Sequence, residues 1–311
     1  MQFPFKICRD REFDVVGFGT NAVDFLIEVP EYPVFNSKIE LSDYAQAAGG
    51  EAATTMVGLQ RLGLKTTYAG CFGDDPAGAF GLKSLTDEGV SVDYSRTVSG
   101  ARTQIAFIVI DSRSGERTVI WKRDKKLAFT AENAPVEIVS RAAVLHLTPH
   151  DTAAALAMAQ AAKHAGTIVS IDVDKTFDNI EELLPLVDIL IASAEFPPRL
   201  LGPDDPRKYL PEMASRYGCQ IVGVTLGSAG SLLHANGSFI ESKAFKVPGG
   251  CRDTTGAGDA FRVGIIYGLL NKNSIEEAAQ YANAVACLKC RAIGARSALP
   301  SENELKEFLG R

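Results

Sequence analysis

Residues 253–261 read DTTGAGDAF, in which Gly256, Ala257 and Gly258 stand directly before a carboxylate, Asp259. A helical pattern continues from there to about Leu270. Ala260, Gly264 and Gly268 recur every four residues and leave one face flat, while Phe261, Ile265 and Leu269 form an apolar stripe beside it. The first turn of such a helix has N–H groups with no intrahelical partner and carries the positive end of the helix dipole. That turn is a receptor for phosphate oxygens. Asp259 falls in that same first turn, where the dipole also stabilises its negative charge. A tight turn followed by a first-turn acid accounts for each residue singly, but not for the nine residues together.

Other motifs carry less. Residues 17–22, GFGTNA, match the dinucleotide pattern G-x-G-x-x-G/A, which requires a helix to come next. The residues after it are instead the alternating VDFLIEVPEYP with Pro30 and Pro33, so Gly17 and Gly19 are assigned to close packing or to substrate-facing strand positions. Cys287 and Cys290 form a C-x-x-C late in an Ala-rich helical run with no second pair, which fits buried helix cysteines. LHLTPHD places His146, His150 and Asp151 after a strand, either as a sugar contact or as a turn with a helix cap at Asp151 or Thr152. RTVIWKRDKK (117–126) holds the only tryptophan. Trp121, Lys122, Arg123 and Asp124 are read either as contacts to an acidic or phosphorylated substrate or as a solvated strand end. There is no convincing zinc spacing and no serine in a G-x-S-x-G elbow.

These groups need a scaffold. Runs of Val, Ile and Leu predict strands at 14–19, 65–70, 104–110, 142–147, 167–173, 187–192 and 220–226. Several are apolar at consecutive positions, as in strands covered on both faces. Helices alternate with them. Residues 51–62 end at Gly63. Residues 76–88 open on Asp75-Pro76 and stop at Gly89, and residues 152–165 stop at Gly166. Ser274 and Glu277 have capping-box spacing at the start of a helix from Ile275. Alternating strand and helix predicts a mostly parallel sheet between helical layers. Residues 22–47 and 101–123 break the rhythm with two-residue alternation and predict a small second sheet lying over the main one as a lid. No linker or repeat divides residues 1–311, so one domain is expected.

DTTGAGDAF resembles the C-terminal signature of the ribokinase-like (PfkB) carbohydrate kinases, and the likeness extends over nearly the whole chain. It implies a three-layer α/β sandwich with a β lid. It implies Asp259 as the catalytic base, with the backbone of Gly256, Ala257 and Gly258 as the anion hole. GTNAVD (19–24) resembles the segment whose aspartate, here Asp24, binds sugar hydroxyls. AAGGEAATT (47–55) resembles the N-terminal signature, implicating Gly49 and Gly50, with Thr54 where the family has asparagine. VTLGSAG (224–230) resembles the nucleotide-binding turn, implicating Thr225 and Gly227. DILIASAEF (188–196) resembles the Asn-x-x-Glu segment that organises Mg²⁺, but Ser193 replaces the asparagine and Phe196 falls where the glutamate is expected. That leaves Glu195 as a water-mediated partner of Mg²⁺. RAIGARSALP (291–300) resembles the stretch that, with Asp253 and Thr255, surrounds a monovalent cation, K⁺, in many members. Arg123 is included among the substrate contacts.

The expected activity is therefore ATP-dependent phosphorylation of a sugar hydroxyl. A nucleoside kinase of the same superfamily, a non-catalytic sugar or nucleotide sensor and, on GFGTNA, an NAD-dependent oxidoreductase are the alternatives. The composition agrees: 46% hydrophobic and 23% charged residues fit a globular chain, and 38 acids against 32 bases leave no basic footprint for nucleic acid. No uncharged apolar run is long enough to span a bilayer, the start MQFPFKICRDREFD lacks a signal-peptide core, and six scattered cysteines fit a reducing compartment. A cytoplasmic enzyme is expected, with a homodimer through an exposed lid sheet as its assembly.

Overall fold

A computed structural model describes residues 1–8 and 10–311 of the chain. Six of the apolar runs and a closing hairpin form one eight-stranded sheet. Its spatial order is Thr66–Ala69, Phe13–Phe18, Ala142–Leu147, Ile168–Val173, Ile189–Ser193, Ile221–Thr225, Ser231–Ala235 and Ser238–Ser242. The first six are mutually parallel and the last two close the sheet as an antiparallel hairpin. The hairpin turns on Asn236-Gly237, both with positive φ, the backbone that a two-residue turn between right-twisted strands demands. Every residue of Ala142–Leu147 and Ile168–Val173 is buried, as consecutive apolar residues require when helices cover both faces.

Adjacent residues of one strand show the two covers. Val15 packs in the cluster formed with helices Glu51–Arg61, Ala257–Leu270 and Ile275–Lys289. Val16 packs in the opposite cluster, with helices Thr152–Ala165 and Pro206–Tyr217. The sequence signals at the helix ends have their expected partners. Asp75 accepts from the Gly78 amide, Gly166 closes its helix in the left-handed region, and Ser274 and Glu277 make both bonds of a capping box. Asp151 stands at an N-cap position, but its carboxylate is taken by Arg123 and by the Phe129 amide instead.

The flat face predicted for the helix Ala257–Leu270 meets the helix Ile275–Lys289. A Cβ on Gly264 would overlap the backbone of Ala282, and one on Gly268 would overlap Ala278. The two backbones come this close because neither glycine has a side chain. The site-bearing helix is thereby fixed along its length.

The two alternating segments form a second, four-stranded sheet in the order Asp43–Gly49, Ala22–Val29, Ile105–Asp111, Arg117–Lys122. Leu26, Ala106, Ile108 and Ile110 bury its inner face. Its turn after Asp111 is tied to the DTTGAGD loop: the Thr254 amide donates to the Gly115 carbonyl (3.1 Å), and Arg117 donates to the Thr254 hydroxyl (3.0 Å). The structure is therefore α/β in three layers, with a mostly parallel central sheet and a small β-sheet lid. No helix among the described residues is long and apolar enough to cross a membrane.

Candidate active site

A cavity of about 760 Å³ opens between the lid and the carboxyl ends of the parallel strands, where open α/β sheets bind ligands. Asp172, Ser193 and Thr225 reach it from the ends of three neighbouring strands. Asp24, Ile108 and Trp121 reach it from the lid.

On its floor is the opening turn of Ala257–Leu270. Gly256 adopts a left-handed backbone (φ 77°) and forms the N-cap, with the Cα and Cβ of Ala295 in the space a side chain would need. The Ala257 amide donates to the Thr254 carbonyl at 3.1 Å and the Ala260 amide to the Gly256 carbonyl at 2.9 Å. Among the described residues, the amides of Gly256, Gly258 and Asp259 have no such acceptor. The donor set is thus shifted from the tripeptide in the sequence: Ala257 is engaged and the Asp259 amide is free.

The Asp259 carboxyl is pushed up to about 8, first by burial and then by the neighbouring Asp172 carboxylate, while the Arg262 guanidinium pulls the other way. Arg262 follows Asp259 by three residues on the same helix and pairs with Asp172 at 2.5 Å. It also donates to the Ile191 carbonyl at 2.9 Å. Glu51 opens the helix Glu51–Arg61 and lines the same cavity. Burial, then Asp172, Asp174 and Asp259, hold it well above the usual carboxylate range, and Lys175 opposes them. His150 Nδ1 lies 3.5 Å from the Glu51 carboxylate, but burial lowers this histidine to about 4, so it faces Glu51 as a neutral ring.

Asp24 is buried on the lid strand beside Gly49, where a Cβ would overlap its carboxylate. Burial raises Asp24 to about 6, Arg296 lowers it and Asp253 raises it. Gly50 turns at φ 90° against the backbone of Asn21, which only glycine tolerates at that separation. On the far side of the cavity Thr225 ends its strand, and Gly227 turns with φ 57°.

Three assigned residues, Thr54, Arg123 and Glu195, stand elsewhere. Thr54 is fully buried, and its hydroxyl accepts from Arg296 (3.3 Å) instead of lining the cavity. Arg123 is held by Asp151 at 2.6 and 2.7 Å and by the Leu127 carbonyl, away from the cavity wall. Glu195 is exposed and paired with Arg199 at 2.6 Å. Asp253 is buried beneath the loop, where its carboxylate accepts from the Thr255 and Gly294 amides, both at 2.8 Å. Thr255 lines the cavity. His146 is a core residue against Ser170, lowered by burial to about 3. Cys287 and Cys290 are free and buried.

The motifs did not point to Arg262, Asp172, Glu51, Arg296 or Lys289. Two of these residues left a signal. Arg262 is a lone cation in the apolar run AFRVGIIYGLL, and Asp172 is an acid inside the strand IVSIDV. Buried charges of this kind require partners.

A three-layer α/β sandwich, a β lid and a helix-start donor pocket beside a carboxylate define the class: the ribokinase-like fold. Arabidopsis thaliana ribokinase, solved with ribose and ATP, superposes with a TM-score of 0.81 at 26% identity over 96% of this chain and 99% of that one. The model of the pfkB family carbohydrate kinases matches residues 13–302, and the chain belongs to that family. The ATP-dependent ribose-1-phosphate kinase of Halopiger xanaduensis is 30% identical over 92% of this chain and 94% of its own length. The ribokinase of Haemophilus influenzae is 28% identical over 94% and 96%.

Proposed function

We propose that this chain transfers the γ-phosphoryl group of ATP to a hydroxyl of a small sugar or sugar derivative. One observation carries the reading. The Asp259 carboxylate, the unpaired amides of its own helix turn and the Asp24 carboxylate all face one cavity large enough for both reactants. Asp24 and the backbone at Gly49 and Gly50 orient the sugar. Thr225 and Gly227 border the nucleotide. The sugar oxygen attacks the γ-phosphorus as its proton passes to Asp259, the bond to the β-phosphate oxygen breaks, and ADP leaves. The amides of Gly256, Gly258 and Asp259 receive the equatorial oxygens, so charge is met by donors already in place.

The cavity also fits a divalent cation. Glu51, Asp172, Asp174 and Asp259 crowd their negative charges together, and each of Glu51, Asp172 and Asp259 is held above its ordinary carboxylate range. Mg²⁺ bound with ATP supplies neutralising charge, and Glu51 and Asp174 would hold it through water. Glu195 is not in a position to do so. Lid closure, with Trp121 on the cavity wall, excludes water from the reaction. The outer lid surface exposes Tyr44, Phe107 and Ile120, which supports a homodimer through that sheet. A monomer by light scattering at micromolar concentration would remove that part.

The test is an ADP-release screen over ribose, fructose, 2-keto-3-deoxygluconate, ribose 1-phosphate and adenosine, with and without Mg²⁺. Turnover of a sugar, lost without Mg²⁺, is expected. Turnover of adenosine alone makes the chain a nucleoside kinase. Ligand-induced thermal shifts with no ADP formed make it a sensor.

A further inference from the structure

Lys289 is the last residue of the helix Ile275–Lys289, and its side chain is fully buried. Its Nζ donates to the main-chain carbonyl of Asp253 at 2.7 Å and lies 3.7 Å from the Asp253 carboxylate. A buried ammonium is costly unless paired, so this position is a built one. Asp253 opens the loop whose next residues are the phosphoryl receptor. Its carboxylate ties the Thr255 amide on one side and the Gly294 amide on the other. Gly256 in turn rests on Ala295, whose Cα and Cβ fill the space a side chain at Gly256 would need. Lys289 therefore sits where the 253–258 loop and the 291–296 turn converge, behind the donor pocket.

This is the place where the family resemblance puts a monovalent cation, surrounded by Asp253, Thr255 and the 291–300 stretch. The residues present do not fit one. The Asp253 carbonyl is already bound to an ammonium, and a bare ion brought to the same oxygens would meet that charge at close range in a site without bulk water to screen it.

We infer that the Lys289 ammonium is a resident cation that takes the place of K⁺ beneath the phosphoryl pocket, so that the enzyme works without any monovalent ion. The inference rests on the kinase reading for its consequence, but not for its detection. Lys289 is a positioning residue. It does not line the cavity, holds the Asp253 carbonyl and places its ammonium beneath the loop that carries the amides of Gly256 and Gly258. An unbranched ammonium side chain at the end of a rigid helix does permanently what a diffusible ion does by occupancy.

The experiment has a binding arm and a kinetic arm. Thermal melts of the wild-type protein are compared in KCl, NaCl and choline chloride at equal ionic strength. No K⁺-specific rise in Tm is expected, and ²⁰⁵Tl⁺ NMR should show no saturable site. A K⁺-specific, saturable stabilisation or a bound Tl⁺ signal overturns the inference whether or not a substrate has been found. In the kinetic arm, kcat should agree within twofold across the three salts, and a stimulation above fivefold by K⁺ overturns it. The Lys289→Ala protein should lose at least tenfold in kcat in choline chloride with little change in sugar KM, and K⁺ or NH₄⁺ should restore it. Full activity of that variant in choline chloride also overturns it. If Lys289→Ala does not fold, the wild-type melts, Tl⁺ spectrum and salt comparison decide alone.

Discussion

The guanidinium of Arg262 lies 2.5 Å from the Asp172 carboxylate, both side chains almost wholly buried, three residues along the helix from Asp259. The pair keeps one acid of the cluster neutralised by a protein cation, and Arg262 is also the main influence holding Asp259 down. Replacing Arg262 by Met leaves Asp172 buried without its partner, facing Asp259. Breaking a buried pair from one side costs about 3–5 kcal/mol. Urea denaturation of Arg262→Met should show a loss of that order, and an undiminished midpoint would show that water solvates the pair.

Asp259→Asn should keep the fold and reduce turnover by about 10²–10⁴-fold, the range for a positioned acid or base. Turnover within threefold of wild type on the true substrate would remove its role as base. The same carboxyl sets a pH dependence. Its value of about 8 in the free protein means that kcat/KM rises with pH and levels off above about pH 8, and the limb should be absent from Asp259→Asn.

Stability runs the opposite way. The folded protein binds the Asp259 proton more tightly than the unfolded chain, whose ordinary value is 3.8. Wild-type stability from this group therefore falls as pH rises between those two values and stays low above the upper one. Asp259→Asn lacks the ionisation and should melt higher than wild type at pH 8, with the advantage gone near pH 4. An equal difference in Tm at both pH values would contradict the raised carboxyl.

Gly49 and Asp24 share one space, so Gly49→Ala pushes the carboxylate out of position. Asp24→Asn removes its charge. Hydrogen bonds to charged groups contribute about 1.5–3 kcal/mol, which corresponds to roughly 10–150-fold. Both variants should raise the sugar KM within that range and leave the ATP KM within twofold. A selective rise in ATP KM would move Asp24 out of the sugar side.

Gly264→Ala tests the helix pair. Alanine in an open helix is worth about 1 kcal/mol over glycine. Here the Cβ meets the backbone of Ala282, and overpacking costs about 1–3 kcal/mol. A lower Tm is expected, and because the helix carries Asp259, a lower kcat as well. A raised Tm would mean that the helices separate without penalty.

Much of this molecule is written locally. The strand runs, the helix caps at Asp75, Gly166 and Ser274, and the glycine spacing of 260–268 each depend on neighbours within a few residues, so the chain itself discloses them. The DTTGAGD loop is likewise local: a left-handed glycine, three unpaired amides and an acid within one turn. The Asn-Gly turn at 236–237 is equally local and marks the closing hairpin. What sequence order does not contain is which distant side chains share a low-dielectric space. Arg262 finds Asp172 across ninety residues of chain, Arg296 takes the Thr54 hydroxyl, Asp151 takes Arg123, and Lys289 takes the Asp253 carbonyl. Each of those pairings arises from burial, which makes an unpaired charge intolerable and leaves the choice of partner to the packing of whole layers. The sequence by itself determined the fold class and the place of Asp259 in a helix-start turn. Only the tertiary structure decided which charges surround it, because electrostatic energy depends on distance through space and on the exclusion of water.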